Sequence, residues 1–242
     1  IVLRKIWDSK FGDYIKRWNI FNGGFKEKPI SFWEWYFLNT KPARATRQRK
    51  KAVTDLLCKL INERKKNYNI LDIGSGDGEI VITTLKQLNN QYLKIHARCI
   101  DKCQKALEIG KNLARVNGID DKIEFLEVNM WDFPKYSDLY DIIILSGITC
   151  PMDNHGTELV LKKYKKMLNT SGHIILTNIS KRSVSLVPFL IEFCAKKSII
   201  GEKKFQYKSP KKIEQIMQKT GYEVIKSTEV GGYHTIAIGK KV

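Results

Sequence analysis

Three glycines at alternate positions stand in the run Asn69-Ile70-Leu71-Asp72-Ile73-Gly74-Ser75-Gly76-Asp77-Gly78-Glu79, and an acid, Asp72, lies two positions ahead of the first. Glycines let a backbone pass close to a ligand, and the N–H groups that open a following helix are free donors toward it. A cofactor site is the expected use of such a turn, although a purely structural turn or a dinucleotide site also yields glycines. The phosphate fingerprint Gly-x-Gly-x-x-Gly is not met, because the third glycine arrives one residue early.

A second acid, Asp101, stands at the end of the strand read over Tyr92 to Ile100, with Lys102 next to it. Further on, Glu127-Val128-Asn129-Met130 closes the strand read over Lys122 to Val128, and Leu145-Ser146-Gly147 the one read over Asp141 to Leu145. In open α/β sheets ligands gather at the carboxyl ends of strands. The loop Ile148-Thr149-Cys150-Pro151-Met152-Asp153-Asn154-His155 begins at such an end, and its Asp153 and His155 are the acid–base candidates. A lone loop histidine is as often inert, here as a neighbour of a helix cap. His234 alternates with apolar residues and reads as structural. Cys150 reads as a small buried hydrophobe rather than a nucleophile. Arg44 and Arg47 are candidates to pair with a carboxylate, the alternative being ordinary surface charge.

These residues need a frame. Tyr68 to Ile73 reads as a buried strand, Glu79 to Leu88 as a helix, Tyr92 to Ile100 as a strand, and Lys102 to Asn117 as a helix. Strands follow at Lys122 to Val128, Asp141 to Leu145 and His173 to Thr177, with a helix around Glu158 to Leu168 between the last two. The alternation predicts a parallel sheet with helices on both faces. After a helical or irregular stretch from Val184 to Lys197, a helix at Pro210 to Thr220 leads to Tyr222–Ser227 and Tyr233–Gly239, which predict a hairpin across Gly231 and Gly232.

The run from Asp72 to Gly78 resembles the first motif of the class I S-adenosylmethionine-dependent methyltransferases. That resemblance implies an α/β, doubly wound, mostly parallel seven-stranded sheet with an antiparallel C-terminal strand. It also implies S-adenosyl-L-methionine as the cofactor, held by Asp72, Gly74, Ser75, Gly76 and Gly78, with Asp101 on the ribose hydroxyls and Lys102 beside it. Asn129 stands where the family places an acid near adenine, and Met130 would cover the ring. Ser146 and Gly147 match the position beside the methionine part. Cys150-Pro151 reverses the Pro-Cys order of cytosine-5 methyltransferases, and the Asn/Asp-Pro-Pro-aromatic signature of amino-methyltransferases is absent.

Residues 1–50 are expected to form a helical, aromatic-rich extension or lid, and 51–242 the Rossmann-like domain. Trp7, Phe11, Tyr14 and Trp18 share one helical face, which either packs on the domain or closes over the site. The formal net charge of +18 leaves two acceptor classes open, because the basic residues are dispersed rather than gathered in one stripe. A small-molecule methyl acceptor is the leading expectation. The alternatives are an rRNA or tRNA substrate and a non-catalytic cofactor-binding scaffold. Five cysteines without paired spacing point to a cytoplasmic setting and no metal. No apolar run is long enough for a membrane span.

Overall fold

The structure, a computed structural model, describes residues 41–64, 67–88, 94–133, 139–180 and 205–242. The aromatic-rich residues 1–40 and the stretch 184–197 lie outside these. The first described element is helix α1 (Lys41–Arg64), which passes through the domain boundary expected at residue 50 without a break.

Strand β1 (Tyr68–Ile73) buries every residue but Asn69, as a strand covered on both faces must. Then come α2 (Glu79–Leu88), β2 (Ile95–Asp101), α3 (Gln104–Val116), β3 (Ile123–Glu127), β4 (Tyr140–Ser146), α4 (Asn154–Lys165) and β5 (Leu168–Ile179). The chain ends in α5 (Pro210–Lys219), β6 (Tyr222–Val230) and β7 (His234–Lys241). The seven strands are ordered β3-β2-β1-β4-β5-β7-β6. Only β7 runs against its neighbours. The predicted fold class holds.

Side chains alternate between two cores. Ile70, Ile142 and Ile144 face α1, α2 and α3 through Val53, Leu57, Ile80 and Leu107. Leu71, Ile143 and Leu145 face α4 and α5 through Val160, Tyr164, Ile213 and Met217. Each core seals one side of the sheet, so the strand ends alone remain for chemistry.

Some expected bounds shift. The helix placed at Glu158 to Leu168 begins four residues earlier, because the Asp153 side chain caps it by accepting the Gly156 N–H at 2.7 Å. It stops before Leu168, which already pairs with Tyr140 as β5 begins. In the tail, Ser209 caps α5 with Pro210 behind it. Gly231 and Gly232, at φ +64° and +66°, turn β6 into β7 as the hairpin required.

Chain order fixes where a ligand can lie. The chain steps outward from β1 to β2 and β3, then returns to place β4 against the other side of β1. Ligands of open α/β sheets bind at such a switch point, here the carboxyl ends of β1 and β4.

Candidate active site

The glycine turn lies at the carboxyl end of β1. Gly74, Gly76 and Gly78 all have φ near +60°, which side chains rarely tolerate. The Gly74 and Ser75 N–H groups donate to the Ile100 carbonyl at 2.8 and 3.1 Å, which hooks the turn onto the end of β2. Gly78 fits tightly, since a Cβ there would stand 2.9 Å from Phe125 and 3.2 Å from Cys99. At Gly76 a Cβ would meet nothing within 4 Å. Of these two, therefore, Gly78 serves packing, whereas half-buried Gly76 has open space beside it.

Asp101 joins the turn to β2. One carboxylate oxygen accepts the Gly76 N–H at 2.9 Å, and the other accepts the Cys103 N–H at the same distance. Each oxygen keeps a further lone pair. The adjoining Asp101 carbonyl accepts the Val128 N–H at 3.0 Å, so the end of β3, carrying Asn129 and Met130, is tied in. Asn129 Oδ1 accepts the Trp131 N–H at 2.9 Å, and the Met130 carbonyl accepts the Tyr164 hydroxyl at 2.7 Å. Lys102 is exposed.

Asp72 is almost wholly buried at 1% exposure, and its Oδ1 has no hydrogen-bond partner. Burial, then the charges of Asp101 and Asp77, push its pKa up to about 7. Asp77, the neighbouring turn acid, is also buried; its Oδ1 accepts the Glu79 N–H at 3.3 Å while Oδ2 is unpartnered. Two buried carboxylates beside Asp101 thus give the turn an acidic floor.

Ser146 and Gly147 follow β4. Ser146 Oγ lies 3.5 Å from Thr177 Oγ1. Gly147 has φ +82°, and the next residue, Ile148, comes within 2.8 Å of where a Gly74 Cβ would stand. The β1 and β4 ends thus meet. The loop beyond is braced by Lys208, at 1% exposure, whose Nζ donates to the Met152 carbonyl at 2.6 Å and to the Thr149 carbonyl at 3.3 Å. Asn178 Nδ2 adds a bond to the Thr149 carbonyl at 3.1 Å.

Asp153 and His155 lie exposed at the start of α4, where Asp153 serves as its cap. Cys150 is buried, and burial pushes its thiol pKa up, away from the thiolate a nucleophile needs. His234 is buried and held neutral, its pKa pushed down to about 3 by burial and then by the Arg49 charge. Arg44 is exposed and Arg47 half-buried.

A residue that the motif reading passes over is Arg49. Ala45, Val53, Leu57 and Ile61 form the buried stripe of α1 at every fourth position, and Arg49 occupies the gap in that series. The signal was available in the sequence as a single charge inside an apolar helical repeat. Its Nη1 lies 3.1 Å from where a Gly147 Cβ would stand.

A family model described as a methyltransferase domain matches residues 64–226. The chain belongs to the methyltransferase-domain family. The resemblance to class I S-adenosylmethionine-dependent methyltransferases, first drawn from the glycine turn, therefore holds. The ubiquinone/menaquinone biosynthesis C-methyltransferase UbiE of Sinorhizobium fredii is 26% identical over 125 residues, 51% of this chain and 46% of that protein. The UbiE of Vibrio parahaemolyticus is 22% identical over 184 residues, 69% of each chain. This methyltransferase domain spans about half the length of the Sinorhizobium fredii relative and of its Rhizobium meliloti counterpart.

Solved structures share the fold. Magnesium protoporphyrin IX methyltransferase (ChlM) of Synechocystis PCC 6803, with bound SAH, superposes with a TM-score of 0.67 at 12% identity, covering 100% of this chain and 98% of that one. A possible exported protein of Bordetella parapertussis gives 0.72 at 13% identity over 95% of this chain and 78% of that one.

The methyltransferase turn fits the family's cofactor on its own atoms. Asp72 carries a buried oxygen in want of a donor, which an ammonium supplies. Asp101 retains acceptor capacity on both oxygens, the number that two ribose hydroxyls require. Gly76 offers a backbone that nothing crowds.

Proposed function

We propose that this chain transfers the methyl group of S-adenosylmethionine to a small organic acceptor. The observation that carries this reading is the Asp101 carboxylate, fixed by the Gly76 and Cys103 N–H groups with a lone pair left on each oxygen. Asp101 holds the ribose, the turn from Asp72 to Gly78 with Ser75 takes the amino-acid end, and Asn129 and Met130 border the adenine. Ser146 and Gly147 flank the methionine chain, with Lys102 at the outer edge.

When bound, S-adenosylmethionine supplies an electrophilic methyl group on a sulfonium. The task left to the protein is chiefly alignment, because a fixed geometry removes most of the entropy cost of the encounter. Lys208 and Asn178 serve that task by holding the loop after β4, which forms one wall of the crevice. Where the acceptor must lose a proton, His155 and the free oxygen of Asp153 are the groups at the start of α4 that can take it.

The small-molecule reading is supported by the names of similar proteins: a ubiquinone/menaquinone C-methyltransferase, a magnesium protoporphyrin IX methyltransferase and an O-methyltransferase family 2 protein in complex with apigenin. Among the described residues, no helix is long and apolar enough to cross a membrane.

The test is calorimetry of the full chain with S-adenosylmethionine and S-adenosylhomocysteine, then release of the latter with a panel of phenols, quinones and porphyrins. Saturable one-to-one binding and turnover with one of these are expected. Absence of binding overturns the cofactor reading. Tight binding of structured RNA that falls steeply between 50 and 200 mM salt overturns the small-molecule reading.

A further inference from the structure

The crossings from β1 to β2, β2 to β3 and β4 to β5 each carry a helix, whereas the described residues between β3 and β4 form only a turn from Asn129 to Phe133. That turn has no helix of its own to lean on. Two consecutive residues near the end of α4 support it instead. The buried Tyr164 hydroxyl donates to the Met130 carbonyl at 2.7 Å, and Lys163 Nζ donates to the Trp131 carbonyl. The turn's own groups take the rest: the Trp131 N–H donates to Asn129 Oδ1 at 2.9 Å, and the Asp132 and Phe133 N–H groups donate to the Asn129 carbonyl at 2.9 and 3.0 Å. Phe133 then enters the core that Tyr164 helps to fill.

A peptide group is flat, with its C=O and N–H pointing to opposite sides. The peptide between Met130 and Trp131 is therefore gripped at both ends, by Tyr164 at its carbonyl and by Asn129 Oδ1 at its N–H. Phenol, peptide and amide form one chain in which each bond polarises the next. Loss of the phenol frees the peptide plane to rotate, and with it the Asn129 side chain. Lys163 fixes the following peptide plane in the same way, since that plane carries the Trp131 carbonyl and the Asp132 N–H. Asn129 itself is exposed, and its Oδ1 keeps a second lone pair.

We propose that Tyr164, assisted by Lys163, is a positioning residue for the nucleoside: acting through the peptide between Met130 and Trp131, it sets the angle at which the Asn129 amide meets the adenine. The inference rests on the methyltransferase reading above, which places the adenine at Asn129 and Met130. Tyr222 supplies a control within the same core. Its buried hydroxyl also donates to an α4 carbonyl, that of Leu161 at 2.9 Å, but it makes no bond to the turn.

The experiment is calorimetry of the full chain with 5′-methylthioadenosine, which keeps the adenosine and lacks the amino acid. The wild type is compared with Tyr164→Phe, Asn129→Ala, their double variant and Tyr222→Phe. Loss of the one hydrogen bond, with the ring still packed, predicts about threefold to tenfold weaker binding by Tyr164→Phe. The double variant is expected to bind no more weakly than Asn129→Ala alone, because the amide through which Tyr164 acts is already gone. Tyr222→Phe is expected to melt lower and to bind as the wild type does. Unchanged affinity in Tyr164→Phe, additive losses in the double variant, or an equal loss in Tyr222→Phe overturns the proposal.

Amide hydrogen exchange without ligand tests the support of the turn separately. Trp131 and Asp132 are expected to exchange faster in Tyr164→Phe than in the wild type or Tyr222→Phe, and unaltered exchange overturns the proposal. If the wild type fails to bind methylthioadenosine, the cofactor reading falls, and exchange alone still decides whether Tyr164 holds Asn129 in place.

Discussion

Asp72 sets a measurable conflict between stability and binding. An aspartate in an unfolded chain loses its proton near its ordinary value of 3.8, whereas in the folded protein burial and the charges of Asp101 and Asp77 raise that point to about 7. Between these values the folded state binds more protons than the unfolded state, so stability must fall as pH rises from about 4 to about 7 and level off above. At about 1.4 kcal/mol per pH unit, the difference reaches roughly 4 kcal/mol, a large share of the 5–15 kcal/mol that holds a typical domain. Asp72→Asn removes the titration and keeps the shape. The variant should therefore resist urea better than the wild type at pH 8, by up to roughly 4 kcal/mol, and show little gain at pH 4.5.

The same group should report ligand binding. An ammonium placed near the buried oxygen favours the carboxylate, so S-adenosylhomocysteine should displace about half a proton from Asp72 at pH 7 and close to none at pH 9. Calorimetry in two buffers of different ionisation enthalpy measures this as the wild-type value minus that of Asp72→Asn. If the two proteins show the same urea midpoint shift from pH 4.5 to 8 and the same proton release, Asp72 is ionised throughout and the argument fails.

Other substitutions separate packing from binding. Gly76→Ala should cost only the roughly 1–2 kcal/mol of a left-handed alanine, since its Cβ meets nothing, yet weaken S-adenosylhomocysteine more than tenfold by calorimetry. Gly78→Ala adds a clash with Phe125 and Cys99 to the same backbone strain, so its loss should appear in thermal melting, larger by about 1–3 kcal/mol. Lys208→Met leaves the Met152 carbonyl short of a donor, while Asn178 still serves that of Thr149, and should lower urea stability by about 1–3 kcal/mol, with faster proteolysis in the loop after β4. Asp153→Ala should cost about 1 kcal/mol through loss of the α4 cap, whereas His155→Gln should leave stability unchanged and, where His155 takes the acceptor's proton, lower kcat with cofactor affinity unchanged by calorimetry.

The residues that a reader of the sequence finds most easily are those whose backbone geometry constrains their type. Gly74, Gly76 and Gly78 show in the sequence because positive φ excludes nearly everything else, and Asp101 shows because it closes a strand of alternating apolar residues. Both signals are local. Helix ends are less legible: α4 starts at Asn154 because one side chain, Asp153, turns back to the Gly156 N–H, and an apolar repeat that begins only at Val160 hides that start. Contacts between distant segments are hidden altogether. Nothing near Lys208 in the chain announces that it will be buried beneath Met152, because the partners are carbonyls, which every residue carries.

Arg49 lies between these cases, and it shows what kind of signal connects sequence to function here. Its neighbours fix a buried stripe by period alone, so the charge within that stripe is a local contradiction. Such a contradiction is tolerated when the energy lost in the empty protein is recovered with a ligand in place. Arg44 and Arg47 are the arginines expected to pair with a carboxylate; Arg44 lies exposed and neither shares the stripe, while Arg47 Nη1, like Arg49 Nε, is buried without a hydrogen-bond partner. The acidic side of the crevice obeys the same logic, since Asp72 buries an oxygen without a donor inside a strand of otherwise apolar inward residues. Asp72 Oδ1 on β1 and Arg49 Nε on α1, of opposite sign, are both buried without a hydrogen-bond partner, and Arg49 reaches Gly147 where the ends of β1 and β4 meet.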